Sequence, residues 1–430
     1  MTPITTARAD NATDSAGESV ARLKRELRLV QAKKRTMALL LIAPLAIFLL
    51  LIFVVPIAAL LTRAVQNPEV ASALPHTVAA LSGWDRKSAP PDAAFAALAQ
   101  DLAVVQDGDA MGALARRLNV EIAGYRSLVA KTARAMPLAD DDGHPLKLTP
   151  AQTRAKIVEL DDRWNDVTYW QAIAKNSGRY SPFYLLASLD HRQDAFGHII
   201  AADPDQQIYL AVFGRTFVIS VFVTLFALAL GYPLAYWIST LPERRANLVM
   251  ILVLIPFWTS ILVRVAAWIV ILQSEGLVNK ALMGTGIISA PLTLLFNRVG
   301  VYISMTHILL PFMVLPLYSV MKSIPPTYQR AAVSLGSHPF AAFWRVYVPQ
   351  TYPGIGAGVL LVFILSIGYY ITPALLGGPA DQMVSYYVAY FTNVSINWGM
   401  ACSLGALLLV ATTVLYFVYG RFTRTQLSLG

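Results

Sequence analysis

Residues 324–336 have the sequence IPPTYQRAAVSLG, which lies between two long apolar runs of the chain. Thr327 is a suitable helix N-cap and Gly336 a suitable helix terminator, so this spacing predicts a short helix between them. The polar segment continues to Pro349, and we interpret the whole of it as a docking element between two membrane-embedded segments.

A second short helix is predicted after Gly336, because Ser337 and Pro339 are favourable residues at a helix start. Aromatic residues then recur at positions i, i+3, i+4 and i+7 and predict one aromatic face, formed by Phe340, Phe343, Trp344 and Tyr347. A membrane protein with such a face in a loop places it either against a partner or against lipid headgroups. The residues alone leave both alternatives open.

The composition is that of a polytopic membrane protein. The chain has 430 residues, of which 56% are hydrophobic and only 14% charged, and its mean hydropathy is positive. The single cysteine, Cys402, excludes an internal disulfide and a multi-cysteine metal site, and we predict no metal and no cofactor bound by this chain. The formal net charge is +9, but eight of the basic residues precede position 36, directly before the first apolar run. That placement suits a cytoplasmic anchor, so nucleic-acid binding is not expected.

Apolar runs of about 20 residues are long enough to cross a membrane as helices. The first run is longer than the apolar core of a cleaved signal peptide, so we predict that it remains as a membrane helix. The six predicted spans cover residues 37–62, 213–239, 248–272, 299–321, 354–375 and 399–420. We therefore expect an all-α polytopic membrane protein with six transmembrane helices, five of them in a core at 207–425.

Residues 63–206 differ from the rest of the chain, since they hold 15 of its 34 Lys and Arg residues and 18 of its 25 Asp and Glu residues. Helical patterns occur near 92–117, 119–135 and 151–176, with a break at Asp140-Asp141-Asp142. We predict a soluble helical domain, inserted between the first two membrane helices.

Charges in the short loops predict the orientation of the chain. With the basic tail of residues 1–36 inside, the basic loops 242–245 and 322–353 and the C-terminal end also lie on the cytoplasmic side. The insert then lies outside, in a periplasm-like space. No internal repeat is evident between the two halves, which weakens the hypothesis of a secondary carrier.

Few charges remain in the membrane portion. Arg264 lies within an apolar run, where a charge is costly, so it is predicted either to face a cavity or partner or to snorkel to the outer surface. Glu275 and Asp381 lie in two outer loops, where they face either water or a substrate. Tyr369 and Tyr370 lie at a predicted break of the fifth span, which is either a pathway-lining site or an ordinary kinked helix end.

Motifs for enzymatic chemistry are absent from the sequence. It contains no G-x-x-x-x-G-K-[ST] loop for ATP phosphates and no H-E-x-x-H zinc motif, and its six histidines are scattered. No nucleophile and base are arranged at catalytic spacing. We therefore predict that the chain is not an enzyme.

The polar loop resembles the cytoplasmic EAA loop of binding-protein-dependent ABC transporter permeases. The matching residues have the family's spacing and precede the fifth of six spans: Arg330-Ala331-Ala332, Gly336 and Val348-Pro349. Two further segments look like parts of spermidine/putrescine-type permeases, Pro256-Phe257-Trp258-Thr259-Ser260 and Leu375-Leu376-Gly377-Gly378-Pro379. The resemblance covers the first span and about 208–425, and it leaves the insert without a counterpart.

The resemblance implies a six-helix ABC importer permease that forms the pathway while a separate ATPase dimer hydrolyses ATP. It also implies a second permease subunit, an extracytoplasmic substrate-binding protein and a location in the bacterial inner membrane. The residues that it places at the ATPase contact are Ala331, Ala332, Leu335, Gly336, Phe343 and Pro349. Arg330 stands where the family usually has an acid, so the charge at this position is reversed. With Thr327 as the N-cap, a glutamate at position 330 would form a capping box, and arginine cannot form it.

The leading hypothesis is inward transport of a polyamine or similar cationic small molecule by alternating access, with the substrate resting on the resemblance alone. Aromatic and acidic side chains can bind a cation, so the predicted pathway residues are Trp258, Arg264, Tyr369, Tyr370 and Asp381. The alternatives are an ABC permease for a non-polyamine solute, a stand-alone secondary transporter or channel, and a membrane-anchored sensor.

Overall fold

The computed structural model describes residues 30–31, 33–105, 108–139, 146–194 and 196–427, which are mostly helical. The basic tail predicted over residues 1–36 lies largely outside the described residues, as does the break predicted at Asp140-Asp141-Asp142. The chain divides into two units, Met1–Thr62 and Arg63–Gly430.

The first unit is formed by a long apolar helix, α1 (Lys33–Arg63), which covers the first predicted span. Most of its apolar side chains are exposed. A π-helical turn, Leu50–Val54, lies just before Pro56. Because proline has no N–H and its ring clashes with the carbonyl four residues earlier, the wider turn accommodates Pro56 within a continuous helix.

Residues 63–206 form a compact region of short helices. These are α2 (Pro68–Ala73), α3 (Pro75–Ala80), α4 (Asp92–Val105), α5 (Asp109–Glu121), α6 (Tyr125–Arg134), α7 (Pro150–Leu160), α8 (Val167–Lys175) and α9 (Phe183–Ala187). The helical stretch predicted at 151–176 is divided, because Asp166 accepts from the Thr168 N–H at 2.8 Å and begins a new helix.

A small antiparallel sheet follows these helices, so the expectation of an all-α protein is wrong in this detail. Strands β1 (His191–Gln193) and β2 (Ile199–Ala201) pair with His191 opposite Ala201. The turn between them contains Gly197 at φ +94°. A three-residue ladder with a glycine turn is too short for periodicity to reveal it in the sequence.

Two tryptophans form the centre of the insert core. Trp164 and Trp170 are fully buried, with ring centroids 5.3 Å apart. Trp164 Nε1 donates to Thr132 Oγ1 at 2.8 Å, and Trp170 Nε1 donates to the Trp164 carbonyl at 2.9 Å. Because both indole N–H groups are paired, the rings are buried without an unsatisfied donor.

The two ends of the insert run side by side. The Asn67 N–H donates to the Arg179 carbonyl at 2.9 Å, and the Ser181 N–H donates to the Val65 carbonyl at 2.8 Å. The chain therefore enters and leaves the helical part of the insert at one place in the fold.

The last part of the insert, after its short helices, attaches it to the membrane helices. The carboxylate of Asp190 accepts from the backbone N–H groups of Tyr209 and Leu210, both at 2.9 Å. These N–H groups belong to the first turn of α10 (Tyr209–Thr240) and have no partner within that helix. Ser188 Oγ also lies 2.8 Å from Ser403 Oγ on the last helix, with both side chains buried.

The remaining helices form the membrane portion. They are α11 (Glu243–Leu254), α12 (Ile261–Leu272), α13 (Leu277–Gly284), α14 (Arg298–Ser323), α15 (Thr327–Ser334), α16 (Pro339–Ala342), α17 (Val348–Gln350), α18 (Tyr352–Ile367), α19 (Ile371–Leu376), α20 (Val384–Asn393) and α21 (Trp398–Leu427). Among the described residues, five helices are long and apolar enough to cross a membrane, or six if the bent pair Pro339–Gln350 and Tyr352–Ile367 is one span.

Helices α10, α14 and α18 pack closely around a shared apolar core. A Cβ at Gly358 would lie 2.7 Å from Met313 Sδ, and one at Gly354 would lie 3.0 Å from Val320 Cβ. A Cβ at Gly231 would meet Met313 Cγ at 2.9 Å. Small residues at these positions let the helix backbones approach, which is a common basis of helix association in membranes.

The predicted bounds of the third span are wrong. A 3₁₀ turn at Ile255–Trp258, which contains Pro256, separates α11 from α12, and the candidate span runs from Ile261 to Gly284 and includes both α12 and α13. Proline has no N–H to continue the helix, so the apolar run at 248–272 does not form one rod. The fifth span bends by 61° at its start and is interrupted between α18 and α19, as its Tyr-Tyr break predicts.

Candidate functional site

The loop between α14 and α18 contains two short helices, and the first ends in a glycine-dependent cap. Gly336 has φ +93°, in the left-handed region. Its N–H donates to the Val333 carbonyl at 3.0 Å, and the Ser337 N–H donates to the Ala332 carbonyl at 3.0 Å. This pair of hydrogen bonds is a Schellman motif, so the prediction that Gly336 terminates the helix is confirmed.

The start of α15 differs from the prediction. Pro326 occupies the N-cap and Thr327 is the first helical residue. The Arg330 N–H donates to the Pro326 carbonyl at 3.2 Å, so position 330 is the fourth helical residue rather than the third. A glutamate there would not complete a capping box, so the predicted loss of a capping box at Arg330 is wrong. Its exposed guanidinium forms no hydrogen bond or ion pair with any described residue.

The second helix begins with a different cap from the expected serine. His338 Nδ1 accepts from the Phe340 N–H at 3.3 Å, and Pro339 is the first helical residue. After α16 the chain forms a π-helical turn, Phe343–Tyr347, followed by Val348 and Pro349. This π turn ends two residues before Pro349, just as the π turn of α1 ends two residues before Pro56.

The π turn divides the aromatic residues between two directions, so the prediction of one aromatic face is wrong. Phe343 and Tyr347 stack at 5.6 Å and contact Tyr236 of α10, each with ring centroids 5.3 Å from it. Phe340 and Trp344 are 68% and 54% exposed. Phe343 therefore packs against α10, whereas the resemblance places it at the ATPase contact.

The loop presents a group of exposed apolar side chains, which we name the loop surface: Tyr328, Val333, Leu335, Phe340 and Trp344. Leu335 is 89% exposed. Ala331 and Gly336 are exposed beside it, whereas Ala332 and Pro349 are half-buried. Exposed apolar groups of this kind mark interaction sites.

Within the membrane portion, Arg264 of α12 lies in a polar cluster. Its buried Nε has no hydrogen-bond partner among the described residues. Helix α12 packs against α14, which contains His307, and against α19, which begins directly after Tyr369 and Tyr370. Trp268 Nε1 lies 3.3 Å from His307 Nδ1, with the two rings edge to face. The structure thus brings two predicted pathway residues, Arg264 and Tyr369, near each other.

His307 is a member of this cluster that the sequence analysis missed. It lies within the apolar helix α14, and an ionisable residue in a span is a signal of the same kind as Arg264.

The other predicted pathway residues are Trp258, Tyr370 and Asp381, and they differ in exposure. Trp258 is 83% exposed and Tyr370 is 41% exposed. Asp381 is buried, and its carboxylate accepts from Arg298 Nε at 2.9 Å and from the Gly378 N–H at 3.2 Å. Its charge is therefore paired with the first residue of α14, and this ion pair joins the loop between α19 and α20 to that helix.

The membrane portion of this chain is similar in sequence to known proteins. Residues 216–426 match the family model described as "Binding-protein-dependent transport system inner membrane component". The spermidine/putrescine transport system permease protein PotB of Haemophilus influenzae is 37% identical over 216 residues, which are 50% of this chain and 75% of the relative. PotB of Escherichia coli K12 is 32% identical over 218 residues, 50% of this chain and 79% of the relative.

A chain in the crystal structure of a bacterial ABC transporter involved in the import of the acidic polysaccharide alginate aligns with part of this chain. It has a TM-score of 0.44 and 18% sequence identity, and the match covers 50% of this chain and 79% of that chain.

The helical membrane core and its exposed loop surface define a membrane transport subunit. The chain belongs to the family of binding-protein-dependent inner membrane components, and it is a permease subunit of an ABC importer, similar to PotB. Its relatives are permeases rather than enzymes, and this membership decides against the stand-alone transporter and sensor hypotheses.

Proposed function

We propose that this permease carries a polyamine or a similar small cation inward, powered by a separate ATPase dimer that docks on the loop surface. The 37% identity to a spermidine/putrescine permease is the observation that carries the substrate class. The docking role is supported by Leu335, which is almost fully exposed in the loop that matches the EAA pattern. Other permeases of this type act on different solutes, so the substrate requires its own test.

The proposed topology places both chain ends and the loop 322–353 in the cytoplasm, with six helices crossing the inner membrane. The soluble insert lies in the periplasm, where it contacts the substrate-binding protein or caps the outer entrance. A second permease subunit completes the pathway, and Leu262 and Val263 on α12, both more than half exposed, are apolar candidates for that contact or for lipid.

Coupling would proceed through the aromatic contact between the loop and α10. When the ATPases close on ATP, they move the loop surface, and Phe343 and Tyr347 transmit that movement to Tyr236. The three closely packed helices α10, α14 and α18 would then rock as a unit between inward and outward access. The chain itself contributes no ATP chemistry to this cycle.

A non-polyamine solute is the second candidate, and the charge distribution favours it. The carboxylate of Asp381 is paired with Arg298, and the charge on α12, which packs against α14 and α19, is the positive one of Arg264. A pathway with this charge suits a neutral or anionic solute better than a polyvalent cation.

Uptake measurements separate the two candidates. The chain would be reconstituted in proteoliposomes with its ATPase, a second permease and a binding protein from the same organism. We expect ATP-dependent uptake of radiolabelled putrescine or spermidine. Uptake of another solute with no polyamine transport would favour the second candidate, and transport without the ATPase would contradict both.

Docking on the loop surface is tested by Leu335→Ala. Burying a leucine side chain stabilises an interface by roughly 1.5–3 kcal/mol, so its loss should weaken ATPase binding by about tenfold or more. Leu277→Ala removes another strongly exposed leucine, 71% exposed, outside the loop, and should have no effect. Unchanged co-purification of the ATPase with Leu335→Ala would contradict the docking assignment.

A further inference from the structure

A cavity of about 420 Å³ lies between the insert and the membrane helices, within the size range of small-molecule sites. Arg63, the last residue of α1, and Trp398, the first residue of α21, both line it. Trp398 begins a candidate span, and tryptophan is enriched where lipid headgroups meet water, so this part of the cavity suits a position at that level.

Three exposed arginines, Arg63, Arg116 and Arg126, line the cavity. None of their guanidinium groups forms a hydrogen bond or ion pair with a residue that the structure describes. A fourth, Arg117, is buried and already paired with Glu121. One acid, Glu69, belongs to the lining, so the cavity carries an excess of positive charge.

Two buried oxygen atoms in the lining also lack partners. Glu69 Oε2 and Ser395 Oγ form no hydrogen bond with any described residue. Buried polar atoms in folded proteins are normally hydrogen-bonded, so we expect these two atoms to form hydrogen bonds with a ligand or with water. A carboxylate oxygen requires a donor, such as a hydroxyl group.

The mouth of the cavity has an apolar rim. Ile396, in the loop between α20 and α21, is 57% exposed, and Trp398, the first residue of α21, is 50% exposed; both line the cavity. Ile396 has φ +52°, a strained conformation for a β-branched residue. Apolar side chains next to arginines are typical of surfaces that meet anionic lipid.

We propose that this cavity binds the headgroup of an anionic phospholipid, with phosphatidylglycerol as the best match. Guanidinium groups of Arg63, Arg116 and Arg126 bind the phosphate, since arginine recognises phosphate oxygens in a bidentate manner. A glycerol hydroxyl donates to Glu69 Oε2, which explains an acid in an otherwise cationic site. The proposal does not rest on the transported solute or on the ATPase contact.

The test uses the full-length chain, delipidated in mild detergent and titrated with phosphatidylglycerol or phosphatidylcholine, with bound lipid counted by native mass spectrometry. We expect tighter binding of phosphatidylglycerol than of phosphatidylcholine. Each arginine lost should weaken it by about tenfold, so Arg116→Gln with Arg126→Gln should weaken it by about a hundredfold. Arg134→Gln, an exposed arginine outside the cavity, is the matched control.

Arg63→Gln is a second, independent variant in case the double variant folds poorly, and circular dichroism monitors folding of each. Equal binding of the two lipids, or full phosphatidylglycerol binding by the folded arginine variants, would overturn the proposal. Displacement of the lipid by millimolar inorganic phosphate would also overturn it, since the site would then serve a soluble anion. Persistence of the lipid under that competition supports the headgroup assignment.

Discussion

Gly336 shows how one residue fixes the geometry of the coupling loop. Its φ of +93° and the two hydrogen bonds around it end α15 and turn the chain toward α16. No heavy atom lies within 4 Å of the position that a Cβ would take, so a side chain would meet backbone strain but no collision within this chain. The requirement for glycine therefore comes from the backbone conformation, and any further restriction comes from a partner.

Gly336→Val should reduce uptake strongly while the protein remains inserted in the membrane. A left-handed conformation costs a residue with a Cβ roughly 1–2 kcal/mol, so the cap opens and the loop surface loses its shape. Uptake at matched membrane levels measures the effect. Gly336→Asn, which tolerates this conformation, should retain more activity.

Gly197→Val is a matched control for that variant. Gly197 has φ +94° and equally open surroundings, but it lies in the hairpin of the insert. The Gly197→Val substitution should strain the backbone to a similar degree, but it should leave ATPase coupling unchanged. Normal uptake by Gly336→Val, with protein levels equal, would contradict the role of the cap.

Glu121 provides a pH-dependent contribution to the insert. Burial raises its pKa, but Arg117 and Lys175 more than offset this and leave the pKa below the ordinary value of 4.5. Lys175 Nζ donates to Glu121 Oε2 at 2.7 Å, and Arg117 donates to Glu121 Oε1 at 3.2 Å. Because the folded-state pKa is lowered, this contribution is complete above pH 4.5 and is lost as the pH falls through the folded-state pKa.

Glu121→Gln should therefore lower the melting temperature of the purified chain at pH 7 and flatten its decrease in the acid range. Removing one partner of a buried ion pair costs roughly 3–5 kcal/mol, because the buried Arg117 loses its counter-charge. Melting curves between pH 7 and pH 3 measure this. Glu159→Gln, which removes an exposed surface pair with Lys156, is the control and should change little. If the melting temperatures of wild type and Glu121→Gln fell in parallel with pH, ionised Glu121 would not be the source of this stability.

At the scale of elements, two π turns share one cause. The turns Leu50–Val54 and Phe343–Tyr347 each end two residues before a proline, Pro56 or Pro349. In the loop this local widening decides which aromatic rings face α10 and which face outward. A regular helical wheel places all four rings on one face, so the sequence pattern could not predict this division.

Tyr236→Leu tests whether the loop is coupled to α10 through its aromatic contacts. The rings of Phe343 and Tyr347 would each lose a partner, worth about 0.5–1.5 kcal/mol per pair beyond buried area. We expect the ATPase still to co-purify, because the loop surface is intact, while uptake falls several-fold and ATP hydrolysis continues. Tyr236→Phe retains the ring and should behave like wild type. Normal uptake by Tyr236→Leu would exclude this contact as the transmission point.

The break in the third span is a second case in which local chemistry overrides hydropathy. Residues 248–272 are apolar throughout except for Arg264 and a few polar side chains, so composition predicts one span. Pro256 ends α11, and the chain continues through a 3₁₀ turn into α12. A hydropathy window sums residues and does not register where a backbone donor is missing.

At the scale of the whole molecule, the insert is joined to the membrane portion at adjacent ends. The hydrogen bonds of Asn67 with Arg179 and of Ser181 with Val65 bring those ends together. Farther along, Asp190 caps α10 and Ser188 contacts Ser403. The helices of the insert can therefore be removed separately from the segment that supports the membrane helices.

Replacing residues 69–177 by a short Gly-Ser linker should leave membrane insertion and ATPase binding intact. If the insert contacts the binding protein, stimulation of ATP hydrolysis by that protein should fall strongly, and this activity is the measurement. A longer deletion, residues 69–201, also removes Asp190 and should impair assembly, because the first turn of α10 loses its cap. Full stimulation in the shorter deletion would show that the insert has no part in this contact.

The sequence by itself determined the membrane class, the approximate position of most spans and the pattern of the loop. Long apolar runs cross membranes wherever they occur, and a glycine at a helix end acts through local backbone geometry. Tertiary structure alone decided that Asp381 is paired with Arg298, that Phe343 contacts Tyr236, and that His307 contacts Trp268. These contacts join residues far apart along the chain, and their geometry depends on helix packing and local breaks that no local pattern encodes.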